Sequence, residues 1–399
     1  MDSLRNPFAP GAGTPPPELA GREEILRKAE IALGRTRLGR PSKSLLLIGL
    51  RGVGKTVLLN RIQDIANEQK YRAIFLEADE NKGLASILVP AIRSLLLSLD
   101  RFENVSEHVK HALRVLKSFA GALKVRYGEI EIGLDIDPER GSADSGDLEA
   151  DLPELFAVVA QAAVDRNTTI AIIIDEMQYL DEIELSALIK AIHRIAQRQF
   201  PLVLIGAGLP QLVGLTGRAK SYAERLFEFP DVGALEAADA RNALEEPVRR
   251  ENVTFEKRAL EEIIRVTQGY PYFLQEWGYH SWELAPNSPI SVETVKAATT
   301  IAIKRLDESF FRVRFDRLTP REKDYLRAMA ELGPKSHRSG DIADLLGVRV
   351  QSVAPLRSGL IGKGMIYSPA HGDTAFTVPL FDEFLKRIMP SFRRGKRRP

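Results

Sequence analysis

Eight consecutive residues, Gly49-Leu50-Arg51-Gly52-Val53-Gly54-Lys55-Thr56, constrain this chain more than any other stretch. They follow the apolar run Leu45 to Ile48 and lead through Val57 into a helical pattern. A G-x4-G-K-T string between a buried-type strand and an amphipathic helix reads as a phosphate-binding loop. Small residues let the backbone wrap a polyphosphate, and amide N–H groups at the helix N-terminus point inward at it. The Lys55 ammonium suits the outer phosphates and the Thr56 hydroxyl suits Mg²⁺. The expected nucleotide-binding residues are therefore Gly49, Leu50, Arg51, Gly52, Val53, Gly54, Lys55, Thr56 and Val57, with ATP and Mg²⁺ as ligands. A glycine turn that merely happens to precede Lys-Thr is the competing explanation, and the flanking context speaks against it.

A second motif supports the first. Thr169 to Ile174 is a nearly unbroken apolar, β-branched run, as in a strand buried on both faces of a parallel sheet, and it ends in Asp175-Glu176. Open α/β sheets bind ligands beyond the carboxyl ends of their strands, so Asp175 is placed to share the Mg²⁺ with Thr56. Glu176 is placed to orient and deprotonate an attacking water. Seen alone, such a pair could equally be a solvated strand end or a helix cap.

A chain of 399 residues exceeds one ordinary core, so two or three domains are expected. With 44% hydrophobic and 28% charged residues and no bilayer-length apolar run or leader pattern, the expectation is a cytoplasmic protein without a membrane partner. The absence of cysteine excludes disulfides, thiolate zinc sites and cysteine nucleophiles. A net charge of +2 leaves any nucleic-acid partner to be read from local patches.

Residues 1–20, rich in proline and glycine, are expected to form a flexible extended arm, with order beginning at Gly21. Within a core over 21–232, a helix over 22–33 precedes the first strand, and strands at 45–49, 72–77, 169–174 and 202–206 alternate with helices at 56–69, 84–99 and 183–199. That alternation predicts an α/β fold with a parallel sheet and helices on both faces. An insertion contains a helix over 105–120, a period-two stretch at Ile130, Ile132, Leu134 and Ile136 that suggests a hairpin or edge strand, and a turn-rich segment 137–150 expected to be mobile.

Helices at 236–245, 256–267, 271–284 and 292–315 predict a helical lid over 233–317, with Gly269-Tyr270-Pro271 breaking two of them apart. The capping box at Thr319-Pro320-Arg321-Glu322 opens a third unit, 318–390. Helices at 320–332, 339–346 and 350–362, then Met365-Ile366-Tyr367, a His371-Gly372-Asp373 turn and Ala375 to Val378, predict a winged helix-turn-helix with a two-stranded ribbon. Arg349, Arg357, Lys363 and the tail 391–399, which includes Arg393, Arg394, Lys396, Arg397 and Arg398, suggest double-stranded DNA bound through residues 339–378 and the tail. A protein-contact or autoinhibitory winged helix is the alternative, because Val350, Gln351, Ser352 and Val353 offer little to base edges and Pro355 is awkward within the helix.

Taken together, residues 20–390 resemble an AAA+ ATPase of the Orc1/Cdc6-like group, with features of the signalling STAND ATPases. Gly21-Arg22-Glu23-Glu24 is similar to the segment that in this group packs near the adenine, and Gly269-Tyr270-Pro271 looks like the GxP element of STAND proteins. The resemblance implies ATP hydrolysis by a P-loop enzyme, and an arginine finger acting in trans within an oligomer. Arg225 is the first candidate for that finger and Arg218 the second. Two departures stand out. The strand after the carboxylate strand ends in Gly206-Ala207-Gly208 instead of a polar sensor, with Gln211 the nearest polar side chain, and no lid arginine is evident around Gly269 to Gln275. The function so implied is a nucleotide-driven switch that sets the winged helix, associated with DNA or, in the STAND-like alternative, with a protein.

Overall fold

Every residue of Ser44–Ile48, Ile170–Asp175 and Leu202–Gly208 is buried, as strands covered on both faces must be. The computed structural model describes residues 1–11, 13–99, 106–125, 137–370 and 372–392. The chain divides into two compact units, one of Glu23–Gly49 with Lys55–Asp231, the other of Met1–Arg22, Leu50–Gly54 and the chain from Val232 onward.

The first unit contains α1 (Glu23–Arg37), β1 (Ser44–Ile48), α2 (Lys55–Glu68), β2 (Arg72–Glu77), α3 (Leu84–Leu99), α4 (Glu107–Ala122) and α5 (Leu148–Asp165). It continues through β3 (Ile170–Asp175), α6 (Glu182–Gln197), β4 (Leu202–Gly208), α7 (Gln211–Ala219), α8 (Ala223–Leu226) and β5 (Phe227–Glu228). The five-stranded sheet has the order β2-β3-β4-β1-β5, with each neighbouring pair parallel. β4 thus separates the strand that feeds the glycine loop from the strand that ends in the acidic pair. Pairing of Ile48 with Gly208, Ile174 with Gly206 and Glu77 with Asp175 brings these carboxyl ends to one edge.

Helix α5 has no counterpart in the sequence reading. It is buried along nearly its whole length and packs Leu152, Leu155, Phe156, Val159 and Ala163 into the main core cluster. A helix that is apolar almost all round shows no amphipathic stripe, and Pro153 inside its second turn further obscures the period. The segment expected to be mobile is pinned to its start. The buried Asp151 carboxylate accepts the Ser145 hydroxyl at 2.7 Å and the Gly146 N–H at 2.9 Å, and the Ser118 hydroxyl donates to the Glu139 carbonyl at 2.6 Å. The expected edge strand over 130–136 and the basic residues 393–398 lie outside the described residues, as does His371.

The second unit is helical: α9 (Ala237–Arg250), α10 (Lys257–Thr267), α11 (Pro271–Leu284) and α12 (Val292–Arg305). α12 does not run on smoothly to 315. A π-helical stretch, Leu306–Phe311, intervenes before α13 (Arg312–Asp316). The extra residue per turn places adjacent aromatics on different partners, Phe310 stacked on Tyr272 at 4.9 Å and Phe311 against Phe384 at 5.3 Å. The arm also departs from expectation. Phe8 is buried against Gly278, where a Cβ would come within 2.7 Å of its ring, and the Trp282 indole N–H donates to the Asp2 carbonyl at 2.9 Å. An apolar anchor overrides the extended tendency of the proline-rich sequence.

The same unit ends in α14 (Pro320–Leu332), β6 (His337–Arg338), α15 (Ser339–Leu346), α16 (Val350–Gly362), β7 (Ile366–Tyr367), β8 (Asp373–Phe376) and α17 (Phe381–Ile388). The three strands pair antiparallel in the order β6-β8-β7, so the expected two-stranded ribbon gains a third strand. The succession helix, strand, helix, helix, strand, strand is consistent with a winged helix.

Candidate nucleotide site

The glycine loop turns where its residues require it. Gly52 and Gly54 have φ of 81° and 94°, values that side-chain-bearing residues rarely adopt, and they deliver the chain into α2 at Lys55. Lys55 is buried and its Nζ donates to the Gly49 carbonyl at 3.0 Å, while the Gly49 N–H donates to the Gly208 carbonyl at 3.1 Å. The Thr56 hydroxyl donates to Asp175 Oδ2 at 2.5 Å, and the Glu176 N–H donates to Asp175 Oδ1 at 2.8 Å. Two hard oxygen ligands separated by 119 positions in sequence thus touch. Burial pushes the Asp175 carboxyl above its ordinary range, opposed by the Thr56 hydrogen bond, the Glu176 amide and the Lys55 charge.

These groups fit Mg²⁺. A carboxylate whose charge is disfavoured by burial is relieved by a cation, and Thr56 and Asp175 supply oxygen donors of the kind the ion prefers. Among the described residues no three His, Cys, Asp or Glu side chains converge on a metal position, so Thr56 and Asp175 would supply only part of such an ion's coordination sphere.

Within the second unit, the loop crest Leu50–Gly54 is held by its own partners. The Tyr270 hydroxyl donates to the Arg51 carbonyl, the Tyr272 N–H donates to the Gly52 carbonyl at 3.2 Å, and Arg22 donates to the carbonyls of Val53 at 3.2 Å and Gly233 at 2.5 Å. A Cβ on Gly52 would lie 3.1 Å from the Tyr270 ring, so close approach as well as φ demands glycine. Gly269 is equally constrained, since a Cβ would stand 2.2 Å from the Leu235 carbonyl oxygen.

Two residues escaped the sequence reading. Arg314, on α13, is half-buried with its guanidinium over the Phe310 ring at 3.9 Å. Burial, and then the neighbouring Arg51 charge, lower its pKa to about 10. It lies far along the chain from Gly269 to Gln275, and only folding brings it to the neighbourhood of Arg51 in the loop. The other is Gln178, in the single 3₁₀ turn Met177–Tyr179 after Asp175-Glu176. Its Oε1 accepts the Leu209 N–H at 3.0 Å, which brings an amide side chain to the end of β4, while Gln211 starts α7.

Lys55, Thr56, Asp175 and Glu176 are brought together, whereas Arg225 is not. It sits exposed on α8, just before β5 pairs Phe227 with Ser44 at the amino end of β1, and its side chain makes no hydrogen bond or ion pair among the described residues. Arg218 is likewise exposed, on α7.

Residues 18–205 match the family model of the AAA ATPase domain. The chain carries an AAA ATPase domain. With the loop and acidic tip described above, the protein is an ATP-hydrolysing P-loop enzyme. Residues 308–385 match a domain of unknown function, DUF8462. Among solved structures, a Walker-type ATPase of Pyrococcus abyssi is similar at 19% identity and a TM-score of 0.57, over 92% of this chain and 96% of that one. The Orc1 protein of Aeropyrum pernix in complex with DNA aligns at 17% identity and a TM-score of 0.48, over 96% of each chain. The Thermotoga maritima RuvB Holliday junction branch migration motor aligns at 16% identity and a TM-score of 0.45, over 94% of this chain and 96% of that one. The Pyrococcus likeness is one of fold. No curated protein matches the sequence. Among the described residues no helix is long and apolar enough to cross a membrane.

Proposed function

We propose that this AAA+ ATPase is a switch in the manner of the Orc1/Cdc6-like group, coupling its nucleotide state to the C-terminal module. Lys55 neutralises phosphate charge, Thr56 and Asp175 hold Mg²⁺, and Glu176 takes a proton from the attacking water. Bound Mg²⁺ supplies electrostatic stabilisation of charge on the transferring phosphoryl group. Arg51 and Arg314 add positive charge at the loop crest. Arg225, exposed and uncommitted, suits completion of a neighbouring copy's site in a homo-oligomer.

One observation carries the coupling: a contiguous aromatic stack begins at the loop crest and ends in the C-terminal module. Tyr270, which caps Arg51, packs on Phe273 at 5.0 Å, and Tyr272 stacks on Phe310 at 4.9 Å. Phe310 meets Phe311 at 5.4 Å, Phe311 meets Phe381 at 5.6 Å, and Phe381 meets Phe376 of β8 at 6.0 Å. Displacement of the crest is therefore felt as packing strain at the wing, because close-packed interiors do not absorb shifts.

The module's partner is double-stranded DNA in the first reading. The face formed by Arg349, Gln351 and Ser352 at the start of α16 is exposed, and the basic tail supplies phosphate contacts. A specific observation favours a second reading, protein contact in a STAND-like regulator. Arg357 is committed to the wing through Thr374 and the Asp373 carbonyl, and Lys363 is paired with Glu322 at 2.7 Å, whereas Val348 and Val350 are exposed. Titration of the full chain with ATP-Mg and duplex DNA separates these readings. Lys55→Ala abolishes ATP binding, Glu176→Gln binds ATP without turnover, and DNA affinity that falls steeply with salt supports the first partner. Equal turnover in Glu176→Gln and the parent refutes the assignment of the base.

A further inference from the structure

The turn after β3 carries a side chain whose two ends are both used. Gln178 Nε2 donates to Glu176 Oε2, and Gln178 Oε1 accepts the Leu209 N–H at 3.0 Å. The amide therefore spans from the carboxylate to the backbone just past β4. The strand itself has no room for a polar group at this place. A Cβ on Gly206 would come within 2.1 Å of Met177 Sδ and 2.8 Å of Leu46 Cδ2, and one on Gly208 within 2.7 Å of Leu212 Cδ2 and 3.1 Å of Gln178 Oε1. Ala207, between them, is wholly buried. The space over the end of β4 is filled from the neighbouring turn, by Met177 and Gln178. Glu176 itself adopts φ 52° and ψ 35°, a left-handed conformation uncommon outside glycine, which fixes where its side chain leaves the backbone.

We propose that Gln178 is the positioning residue for hydrolysis, doing from the turn what a polar residue on β4 cannot do in this chain. It occupies one carboxylate oxygen of Glu176 and leaves the other for the attacking water, while Leu209 fixes the amide against the sheet. A flexible carboxylate tethered to a rigid strand through one side chain loses most of its rotameric freedom, and base-to-water geometry is sensitive to shifts of about 1 Å. The proposal rests on Glu176 acting as the base. A merely structural Gln178 would affect stability and nucleotide affinity together and would act independently of Glu176.

The test uses the full chain, with ATP turnover and calorimetric ATP-Mg binding measured for Gln178→Met, Gln178→Glu, Glu176→Gln and the Glu176→Gln/Gln178→Met double variant. Methionine keeps the volume without the amide, and glutamate keeps the acceptor for Leu209 without the donor. Both are expected to lower kcat about 10- to 100-fold with KM and Kd for ATP changed less than about threefold. The double variant is expected to be no slower than Glu176→Gln alone, because nothing remains to be positioned. Unchanged or raised kcat in Gln178→Met, or a full further loss on the Glu176→Gln background, overturns the proposal while leaving the base assignment intact. Parent-like turnover in Glu176→Gln removes the base, and this proposal with it. If Gln178→Met melts early, Gln178→Glu alone decides by the same kcat criterion.

Discussion

Gly206 on β4 offers a direct probe of how tightly the acidic turn is seated. Gly206→Ala adds one methyl whose Cβ would lie 2.1 Å from Met177 Sδ, 2.8 Å from Leu46 Cδ2 and 3.4 Å from the Ile174 carbonyl oxygen. Met177 is 1% exposed and Leu46 0%, so neither can swing into solvent to make room. Overpacking of this kind costs about 1–3 kcal/mol. For a unit of this size that corresponds to a melting temperature lower by roughly 2–12 °C. The more mobile neighbour is the Met177 thioether, and Met177 directly follows Glu176, so the turn shifts with it. Turnover should consequently fall by about tenfold or more while ATP affinity, set at the loop, stays near parental. Differential scanning calorimetry and steady-state ATP hydrolysis measure the two effects. Adding Met177→Ala removes the clashing sulfur and should recover part of both losses, a non-additive pattern expected of residues in contact. A Gly206→Ala chain that melts and turns over like the parent, or a double variant whose losses simply sum, would show the reasoning to be wrong.

Phe311→Ala should cost about 3–5 kcal/mol in the second unit and weaken any ATP-dependent change in the C-terminal module, because Phe311 is fully buried between Phe310 and Phe384. Limited proteolysis of the C-terminal module with and without ATP reads the coupling, and an ATP response equal to the parent's would contradict it. Glu149 carries a pH signature, its pKa lowered to about 2, first by the hydrogen bond from Lys190. A depressed folded-state pKa contributes stability above the unfolded value and loses it as pH falls from about 4.5 towards about 2. Glu149→Gln should therefore destabilise the first unit by about 0.5–1 kcal/mol at neutral pH and progressively less below pH ~4.5, as denaturant titrations at several pH values will show.

The site's two anchors were readable from residues because each depends on local grammar. A G-x4-G-K-T string demands positive φ at Gly52 and Gly54, and a continuous apolar run ending in Asp175 demands a buried strand with its tip at the sheet edge. Helices that open on an explicit start signal, 271–284 at the Pro271 that follows Gly269-Tyr270 and 320–332 at its capping box, were legible to the residue. Helix α5 was not, since burial on nearly all sides removes the stripe that marks a helix in sequence. The N-terminal arm misled for the opposite reason. Its composition predicts extension, and buried Phe8 together with the Trp282–Asp2 hydrogen bond docks it regardless.

Sequence by itself determined that this chain grips a nucleotide triphosphate, because the chemistry of that grip resides in contiguous residues whose backbone demands only those residues meet. Tertiary structure alone decided how Glu176 is held, that Gln178 bridges it to the Leu209 N–H just past β4, that Arg314 reaches the neighbourhood of Arg51, and that Arg357 and Lys363 are committed within the C-terminal module. These are contacts between side chains distant in sequence or set by steric exclusion at Gly206 and Gly208. They depend on which strands are neighbours and on what space packing leaves open, and neither is written in any one segment of the chain.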